Sequence, residues 1–268
     1  MVASGVPAER LRLDTLLVAR GLAPSRERAQ ALIMAGLVTV AGRPADKPGR
    51  AVAADAEVAV TGKDHPWASR GGVKLAAALD AFAVSPEGKR CLDVGASTGG
   101  FTDVLLQRGA SQVVALDVGR GQLDWRLRQD PRVVVVEGVN ARHLAPGDLE
   151  GCFGVITVDV SFISLALVLP ALLPFLTDGG DVVALVKPQF EVGKGQVGKG
   201  GVVRDAALRE SAIAGVIASA SALGLECRAR LTSPITGPAG NVEELVHLQV
   251  AAAAPVVPWA GGGRSPEP

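Results

Sequence analysis

The chain has 268 residues, of which 48% are hydrophobic, so it can bury one substantial core and has room for a second small module, which excludes disorder over most of its length. Lys and Arg total 27 and Asp and Glu total 27, so no global field would attract nucleic acid, and any basic surface must be local. The three cysteines, Cys91, Cys152 and Cys227, lie far apart without a CxxC pair, which argues against a structural zinc site and a disulfide framework and fits a reducing cytoplasm.

Residues 10–60 predict a compact unit of two short helices followed by short strands. In the first helix Leu13, Leu16 and Leu17 recur at helical spacing. The second helix follows Ser25, whose side chain suits an N-cap, and its apolar positions again form one face. This unit would be a small α+β domain.

A modest basic excess marks the same unit. Residues 8–50 contain eight basic and four acidic residues, and this excess can contact phosphates, although a solvated helical face would have the same composition. The line SRERAQALIMAGLVTVAG resembles the αL-type RNA-binding domain shared by a ribosomal small-subunit protein, bacterial pseudouridine synthases and some tRNA synthetases, with Ala41 where Asn is usual. The resemblance implies that the unit binds RNA. The candidate RNA-binding residues in it are Arg12, Arg20, Arg26 and Arg28.

The stretch TGKDHPWASRGG, residues 61–72, is rich in Gly, Pro and polar residues and predicts a linker. A domain boundary is therefore expected there. We expect an RNA-binding unit at 8–62, a linker at 63–70, a larger unit at 71–252 and a disordered tail at 253–268.

From Arg90 onward, apolar strands alternate with helical segments. Strands are expected at CLDVG, SQVVALDV, RVVVVEG, FGVITVDV, GDVVALVK, ECRARL and ELVHLQV, with helices near 100–109, 121–129, 162–176 and 204–223. Nearly continuous apolar strands separated by helices are typical of a parallel sheet covered on both faces. The predicted fold class is α/β, a doubly wound Rossmann-like sheet that ends in an antiparallel hairpin and follows the small α+β unit.

One apolar stretch has nearly the length of a membrane span. Residues 160–177 carry no charge, but Pro170 and Pro174 interrupt them and they begin at a predicted strand end. We therefore expect a buried core helix here, not a membrane span. The first residues lack a basic segment followed by a long apolar run, so we expect no signal peptide.

The segment CLDVGASTGGFT predicts a cofactor loop between a strand and a helix. Its glycines let the backbone approach a ligand, and the helix N-terminus offers free amides. The next strand ends at Asp117, where a carboxylate can accept hydrogen bonds from ribose hydroxyls. These features predict a nucleoside-containing cofactor, either S-adenosylmethionine or a nicotinamide dinucleotide.

Three details favour S-adenosylmethionine over the dehydrogenase alternative. The spacing is GxxxGG in place of GxGxxG, an acid precedes the turn, and the histidines fall outside the strand ends. The candidate cofactor-binding residues are Asp93, Gly95, Ser97, Gly99, Gly100, Phe101, Asp117, Asn140 and Asp159. Asn140 would face the adenine, although a simple turn residue explains it nearly as well.

Two charged residues follow apolar strands at the edge where reactive groups gather in a doubly wound sheet. Asp159 ends VITVDVSF and Lys187 ends VVALVKPQF, so both should lie beside the cofactor loop. An ion pair that ties two strand ends together is the alternative interpretation.

Longer lines of the sequence resemble a known family: ASRGGVKLAAAL, DVGASTGGFT, DVSFIS, LVKPQFEVGKGQVGKGGVV and GPAGNVEE. Over residues 10–250 the chain closely resembles the TlyA family, sometimes called haemolysins, which joins an RNA-binding domain to a methyltransferase domain similar to the FtsJ ribose methyltransferases. The Lys-Asp-Lys-Glu tetrad of FtsJ-like enzymes maps onto Lys74, Asp159, Lys187 and Glu243. The resemblance implies that Lys187 accepts a proton or stabilises an alkoxide, that Lys74 and Glu243 orient ribose and lysine, and that Asp159 holds Lys187.

The resemblance also implies a substrate: cytidine 2′-hydroxyls in ribosomal RNA, of the large subunit and in some members also the small one. It further implies an effect on sensitivity to antibiotics that bind the subunit interface. The expected partners are ribosomal RNA or ribosomal subunits, with no metal and no membrane, and the expected location is the cytoplasm. The older family name leaves a membrane-active haemolysin as the alternative, which would need an exposed apolar helix.

The loop GKGQVGKGG, residues 193–201, follows the fifth strand. Lys194 and Lys199 are candidate phosphate contacts, and the glycines would let the loop order around RNA. A flexible surface loop without function is the alternative.

Overall fold

The computed structural model describes residues 10–23, 25–60, 65–193 and 195–250. The predicted tail at 253–268 and Lys194 lie outside these residues. The N-terminal unit contains β1 (Arg10–Arg12), α1 (Leu13–Ala19), α2 (Arg26–Met34), β2 (Val38–Val40), β3 (Arg43–Pro44), β4 (Ala51–Ala53) and β5 (Val58–Val60).

The N-terminal unit has its own small core. Strands β3, β2 and β5 form one antiparallel sheet and β1 pairs with β4. Leu13, Leu17 and Ile33 are fully buried between the helices and these strands. The Ser25 hydroxyl accepts a hydrogen bond from the Arg28 amide at 3.2 Å, which confirms the predicted N-cap of α2.

The second unit is built on a seven-stranded sheet. Its elements are α3 (Gly71–Phe82), β6 (Arg90–Val94), α4 (Gly100–Gln107), β7 (Gln112–Asp117), α5 (Trp125–Arg128), β8 (Val133–Glu137), β9 (Phe153–Val158), α6 (Leu165–Leu172), β10 (Leu176–Val186), α7 (Pro188–Glu191), α8 (Ala206–Ala222), β11 (Leu225–Thr232) and β12 (Glu244–Val250). The strand order is β11-β12-β10-β9-β6-β7-β8. Strands β6 to β10 are parallel, and β12 runs antiparallel to both of its neighbours. The predicted doubly wound sheet with a terminal hairpin is confirmed.

Helices cover both faces of this sheet. Leu75 of α3 and Leu105 of α4 are buried in one apolar cluster, while Leu169 of α6 and Val216 of α8 are buried in the other. Burial on both faces explains why the parallel strands are apolar at nearly every position.

Helix α3 was not predicted, because it starts at two glycines, which are poor helix formers. The structure shows what stabilises it. A side chain on Gly72 would collide with Trp67, and Ala68 and Ser69 are buried, so residues 65–70 of the predicted linker pack against the start of α3.

The predicted helix at 121–129 is wrong at its start. The helix begins only at Trp125, because Gly121 has a φ of +69° and the Asp124 side chain caps the helix by accepting a hydrogen bond from the Arg126 amide.

The apolar stretch at 160–177 contains a core helix, as predicted, but the helix is shorter than the expected range of 162–176, and the first strand residues of β10 follow from Leu176. Helix α6 starts at Leu165, after Ser164 as N-cap, and a 3-10 turn at Leu173–Phe175 follows it. Leu165, Val168 and Leu169 are each about 1% exposed. Within the described residues, no helix is long and apolar enough to cross a membrane.

Candidate active site

The four predicted catalytic residues line one cleft of about 520 Å³, a volume typical of small-molecule sites. Lys74 Nζ lies 2.5 Å from Glu243 Oε2. Lys187 Nζ lies 2.6 Å from Asp159 Oδ1 and donates a hydrogen bond to Ser161 Oγ at 2.9 Å. The cleft therefore holds two lysine–carboxylate pairs. The second, Lys187–Asp159, is also the ion pair between two strand ends that the sequence left open as an alternative to a catalytic role.

The sheet topology explains how distant residues meet. Asp159 follows β9 and Lys187 follows β10, which are parallel neighbours, so both residues emerge at the carboxyl edge. Strand β12 runs the other way, and Glu244 pairs with Val186, so Glu243 arrives at the same edge from the opposite direction. Lys74 comes from the first turn of α3, which packs against α4.

The charges in the cleft are strongly coupled. Burial alone would raise the pKa of Asp159, but the charges of Lys187 and Lys74 outweigh that effect and lower it, so Asp159 is ionised at neutral pH. Glu243 Oε1 and Gln189 Oε1 are buried and have no hydrogen-bond donor among the described residues. Buried acceptors without donors are costly, and both are suited to a donor group on a bound molecule.

Glycines bring the predicted cofactor loop against this centre. Gly95 has a φ of +86° and Gly99 a φ of +90°, conformations that favour glycine. A side chain on Gly95 would overlap the carbonyl oxygen of Asp159, and one on Gly100 would overlap Ser69 Oγ. The loop therefore lies directly against the catalytic strand end, with the N-terminus of α4 facing the cleft.

The predicted cofactor residues fall into two groups. Those that line the cleft are Gly95, Ser97, Gly100, Phe101 and Asp159. Those that do not line it are Asp93, Gly99, Asp117 and Asn140.

Two residues of the second group, Asp117 and Asn140, accept hydrogen bonds from backbone amides. Asp117 accepts hydrogen bonds from the amides of Ser97 at 2.8 Å and Gly119 at 2.7 Å, beside a separate pocket of about 10 Å³. Asn140 caps the 3-10 turn that follows it by accepting a hydrogen bond from the Arg142 amide, as the turn-residue interpretation expected.

Asp93 lies under the loop. It is fully buried and accepts hydrogen bonds from the hydroxyls of Thr102 at 2.7 Å and Thr157 at 3.0 Å. Burial raises its pKa to about 7, and the nearby charge of Asp159 adds to the shift. Asp93 thus joins the start of α4 to β9 from below.

The candidate RNA-binding residues have different surroundings. Arg12 and Arg26 share the carboxylate of Asp14. Arg20 donates hydrogen bonds to the carbonyl oxygens of Ala54 and Ala56, both at 2.6 Å, so it also braces the turn between β4 and β5. Arg28 Nη1 lies 3.6 Å from Asp124 Oδ2, across the two units. Lys199 is exposed in its loop.

Sequence reasoning missed one wall of the cleft, which the N-terminal unit supplies. Met34, Gly36, Asp46 and Lys47 line the same cleft as the tetrad. Nothing in the local pattern of residues 34–47 predicts this contact, because it depends on how the two units dock.

Sequence reasoning also missed an aromatic pair at the cleft, an exposed Phe162 beside a half-buried Phe190. The rings of Phe162 and Phe190 lie 5.0 Å apart, and Phe162 is 90% exposed with a φ of +65°. A large aromatic residue that is both exposed and in a left-handed conformation is unusual and often marks a functional site. The only sequence signal was an aromatic residue within the polar line DVSFIS.

Comparison with protein families agrees with this architecture. Residues 67–250 match the family described as FtsJ-like methyltransferase, and residues 11–58 match the S4 domain family. The protein is thus a Rossmann-like methyltransferase with an N-terminal S4 domain.

Similarity to individual proteins narrows the class. The chain is 54% identical to the 16S/23S rRNA (cytidine-2′-O)-methyltransferase TlyA of Mycobacterium tuberculosis over 90% of this chain and 91% of that protein. It is 41% identical to Hemolysin A of Brachyspira hyodysenteriae over 89% and 99% of the two chains. A solved structure of a hemolysin-named protein from Streptococcus thermophilus superposes with a TM-score of 0.71 at 46% identity, covering 91% of this chain and 90% of that one. The chain belongs to the TlyA family.

Proposed function

We propose that this protein transfers the methyl group of S-adenosylmethionine to the 2′-hydroxyl of a cytidine in ribosomal RNA of the large subunit, with the small subunit as a second substrate. The observation that carries the proposal is the convergence of Lys74, Asp159, Lys187 and Glu243 in one cleft beside a glycine loop. The M. tuberculosis relative named above supports the choice of reaction and substrate.

The loop fits the proposed cofactor. The left-handed turn at Gly95 and Gly99 leaves backbone amides at the start of α4 facing the cleft, where they can donate hydrogen bonds to the carboxylate of a bound amino-acid group. We propose Gly95, Ser97, Gly100 and Phe101 as contacts, with Asp93, Gly99, Asp117 and Asn140 shaping the loop and the adenosine end. The bound cofactor would supply an electrophilic methyl group on a sulfonium centre.

The protein's own residues would act on the ribose. Lys187 Nζ, held by Asp159 at 2.6 Å and by Ser161 at 2.9 Å, would take the proton of the 2′-hydroxyl or stabilise the alkoxide as the proton leaves. The Lys74–Glu243 pair would orient the sugar, with Glu243 Oε1 free to accept a hydrogen bond from a ribose hydroxyl. Fixing the oxygen in line with the methyl group lowers the entropic part of the barrier.

The aromatic pair Phe162 and Phe190 would hold the target base. A cytosine whose ribose reaches the cleft must leave its stack, and aromatic rings commonly receive such a base. Phe162 follows Asp159 by three residues, Phe190 follows Lys187 by three residues, and both rings line the same cleft.

The RNA would be held by both units. We propose Arg12, Arg20, Arg26 and Arg28 of the N-terminal unit and Lys194 and Lys199 of the loop as phosphate contacts, with Lys194 outside the described residues. We also propose the unit boundaries 8–62, 63–70 and 71–252, and a cytoplasmic location, where ribosomal subunits are available.

The test is a methyl-transfer assay. The full-length protein is incubated with tritiated S-adenosylmethionine and with purified large or small subunits, and the label is mapped by nuclease digestion. Label on a cytidine ribose is expected, and label on a base would overturn the proposal. The proposal would also fail if no label were transferred while the same protein released the contents of liposomes in a parallel assay.

A variant links the activity to the cleft. Lys187→Ala should lower methyl transfer about 100-fold to 10,000-fold, the usual contribution of acid–base catalysis, while cofactor affinity measured by calorimetry stays unchanged. Arg228→Ala, an exposed residue of β11, is the control and should keep full activity. Substantial turnover by Lys187→Ala would refute its assigned role.

A further inference from the structure

Asp14 is a fully buried carboxylate in the N-terminal unit, surrounded by donors. Its oxygens accept hydrogen bonds from Arg12 Nε at 3.0 Å and Nη2 at 2.8 Å, from Arg26 Nε at 3.1 Å, and from Gln30 Nε2 at 2.9 Å. The amide of Thr15 adds a further hydrogen bond at 2.9 Å. The hydrogen bonds from Arg12 lead the effects that hold the pKa of Asp14 well below its usual range, so this carboxylate is charged at neutral pH.

The two arginines are fixed at one end and open at the other. Their side chains are 49% and 53% exposed, whereas Asp14 is 0% exposed. Arg12 Nη1 and both Nη atoms of Arg26 make no hydrogen bond to another described residue. A single buried negative charge therefore holds two half-exposed guanidinium groups, and each keeps N–H groups without a hydrogen-bond partner among the described residues.

This arrangement has the chemistry of a phosphate site. Guanidinium groups bind phosphate oxygens through planar pairs of N–H donors, and a fixed guanidinium loses less side-chain entropy on binding. Two positive charges around one negative charge leave a net charge of about +1 at this point, so an anion is attracted.

The site lies on the way to the catalytic cleft. The amides of Leu13 and Asp14 donate to the carbonyl oxygens of Arg50 and Pro48 at 2.9 Å and 3.0 Å. These hydrogen bonds place the turn at residues 47–50 directly beside the arginines. Lys47, in that turn, lines the cleft that contains the tetrad, so the turn connects the arginine pair to the wall of the catalytic cleft.

We propose that Asp14 is a positioning residue that holds Arg12 and Arg26 as a two-guanidinium clamp for a phosphodiester of the RNA substrate. This inference rests on the proposed function and deepens it. Without the carboxylate, the two guanidinium groups repel one another and lose their common orientation. Asp14 itself touches no RNA.

Removing the Asp14 charge should weaken RNA binding, which is the opposite of what the change in net charge alone would do. Asp14→Asn removes a negative charge, and charge alone would tighten RNA binding. Loss of the clamp should instead weaken binding to purified large ribosomal subunits about tenfold at about 0.15 M salt. The slope of log K against log salt concentration should become shallower by about one, the amount that one phosphate contact contributes. Affinity for S-adenosylmethionine should stay unchanged.

The matched control is Asp55→Asn, which removes an exposed acid from the same unit. It should bind RNA as well as the unaltered protein or slightly more tightly. If Asp14→Asn behaves like Asp55→Asn, the clamp does not exist.

A second variant keeps the proposal testable if Asp14→Asn unfolds the unit, as judged by its melting curve. Arg26→Lys retains the charge on a half-exposed residue but loses the planar donors. Binding weakened about fivefold supports the clamp, and unchanged binding overturns it. If the unaltered protein neither binds nor methylates the subunits, the proposed function itself fails. If the unaltered protein methylates them normally, and the Asp14 and Arg26 variants bind RNA as tightly as it does, only the clamp is refuted.

Discussion

Lys74 Nζ and Glu243 Oε2 lie 2.5 Å apart although 169 residues separate them in the chain. Both side chains are buried, at 7% and 1% exposure, so the pair is shielded from water and depends on correct docking of α3 against β12. Breaking a buried pair leaves a charge without its partner, which costs more than replacing both residues by apolar ones. This asymmetry can be measured.

Lys74→Met should lower the free energy of unfolding by about 3–5 kcal/mol, because it leaves the Glu243 carboxylate buried and unpaired. The double variant Lys74→Met/Glu243→Leu should recover most of this loss but remain inactive. Denaturant unfolding of the three proteins, followed by the methyl-transfer assay, checks both points. A double variant as unstable as Lys74→Met would contradict the account of the pair.

Gly95→Ala should abolish cofactor binding. The added side chain would overlap the Asp159 carbonyl oxygen, and the φ of +86° is unfavourable for alanine, so the loop must move away from the strand end. Calorimetric titration with S-adenosylmethionine gives the readout. Gly215→Ala is the control, since its new methyl group meets open space on α8 and should stabilise the helix by about 0.5–1 kcal/mol.

Stability should depend on pH through Asp93. Its folded pKa is about 7 and its ordinary value is 3.8, so the folded protein retains a proton that the unfolded chain releases. The free energy of unfolding should therefore fall as pH rises from about 4 to about 7, by up to about 4 kcal/mol.

Asp93→Asn should flatten this pH dependence, because asparagine does not titrate. Denaturant unfolding at several pH values provides the measurement, with Asp178→Asn, an exposed residue, as the control that keeps the slope. An unchanged slope in Asp93→Asn would show that Asp93 does not titrate in this range.

Phe162→Ala should reduce methyl transfer to ribosomal subunits about 10-fold to 100-fold, since stacking on an aromatic ring contributes about 1–3 kcal/mol per base. The melting temperature should not fall, because the ring is 90% exposed. Trp125→Ala removes another exposed aromatic residue, outside the cleft, and should retain activity. Equal losses in both variants would argue against a specific stacking surface.

The sheet could be predicted because its central parallel strands are apolar on both faces and separated by helical segments, a pattern that burial on both faces imposes. Asp159 and Lys187 could be predicted as site residues for the same reason, since a charged residue directly after an apolar strand marks a strand end. Glu243 and Lys74 could not be found that way. One precedes an antiparallel strand and the other lies in a helix that starts with glycines, so only their resemblance to a known tetrad singled them out.

Features that arise from docking escaped the sequence. The contribution of Met34 and Lys47 to the cleft depends on contacts between units and has no local pattern. Helix α5 starts later than predicted because Gly121 has a left-handed backbone and Asp124 caps the helix. These two local effects outweigh the apolar periodicity from which the earlier start was predicted. The left-handed backbone of Phe162 is disfavoured for a phenylalanine, so nothing in the local sequence predicted it.

Strand β12 lies between β10 and β11, so the sheet formed by the described residues is complete only after β12 has inserted. Because Glu243 immediately precedes that strand, a chain growing during synthesis has its two lysines and its cofactor loop long before it has a finished cleft. The Lys74–Glu243 half of the cleft would therefore form only when the β11–β12 hairpin has joined the sheet.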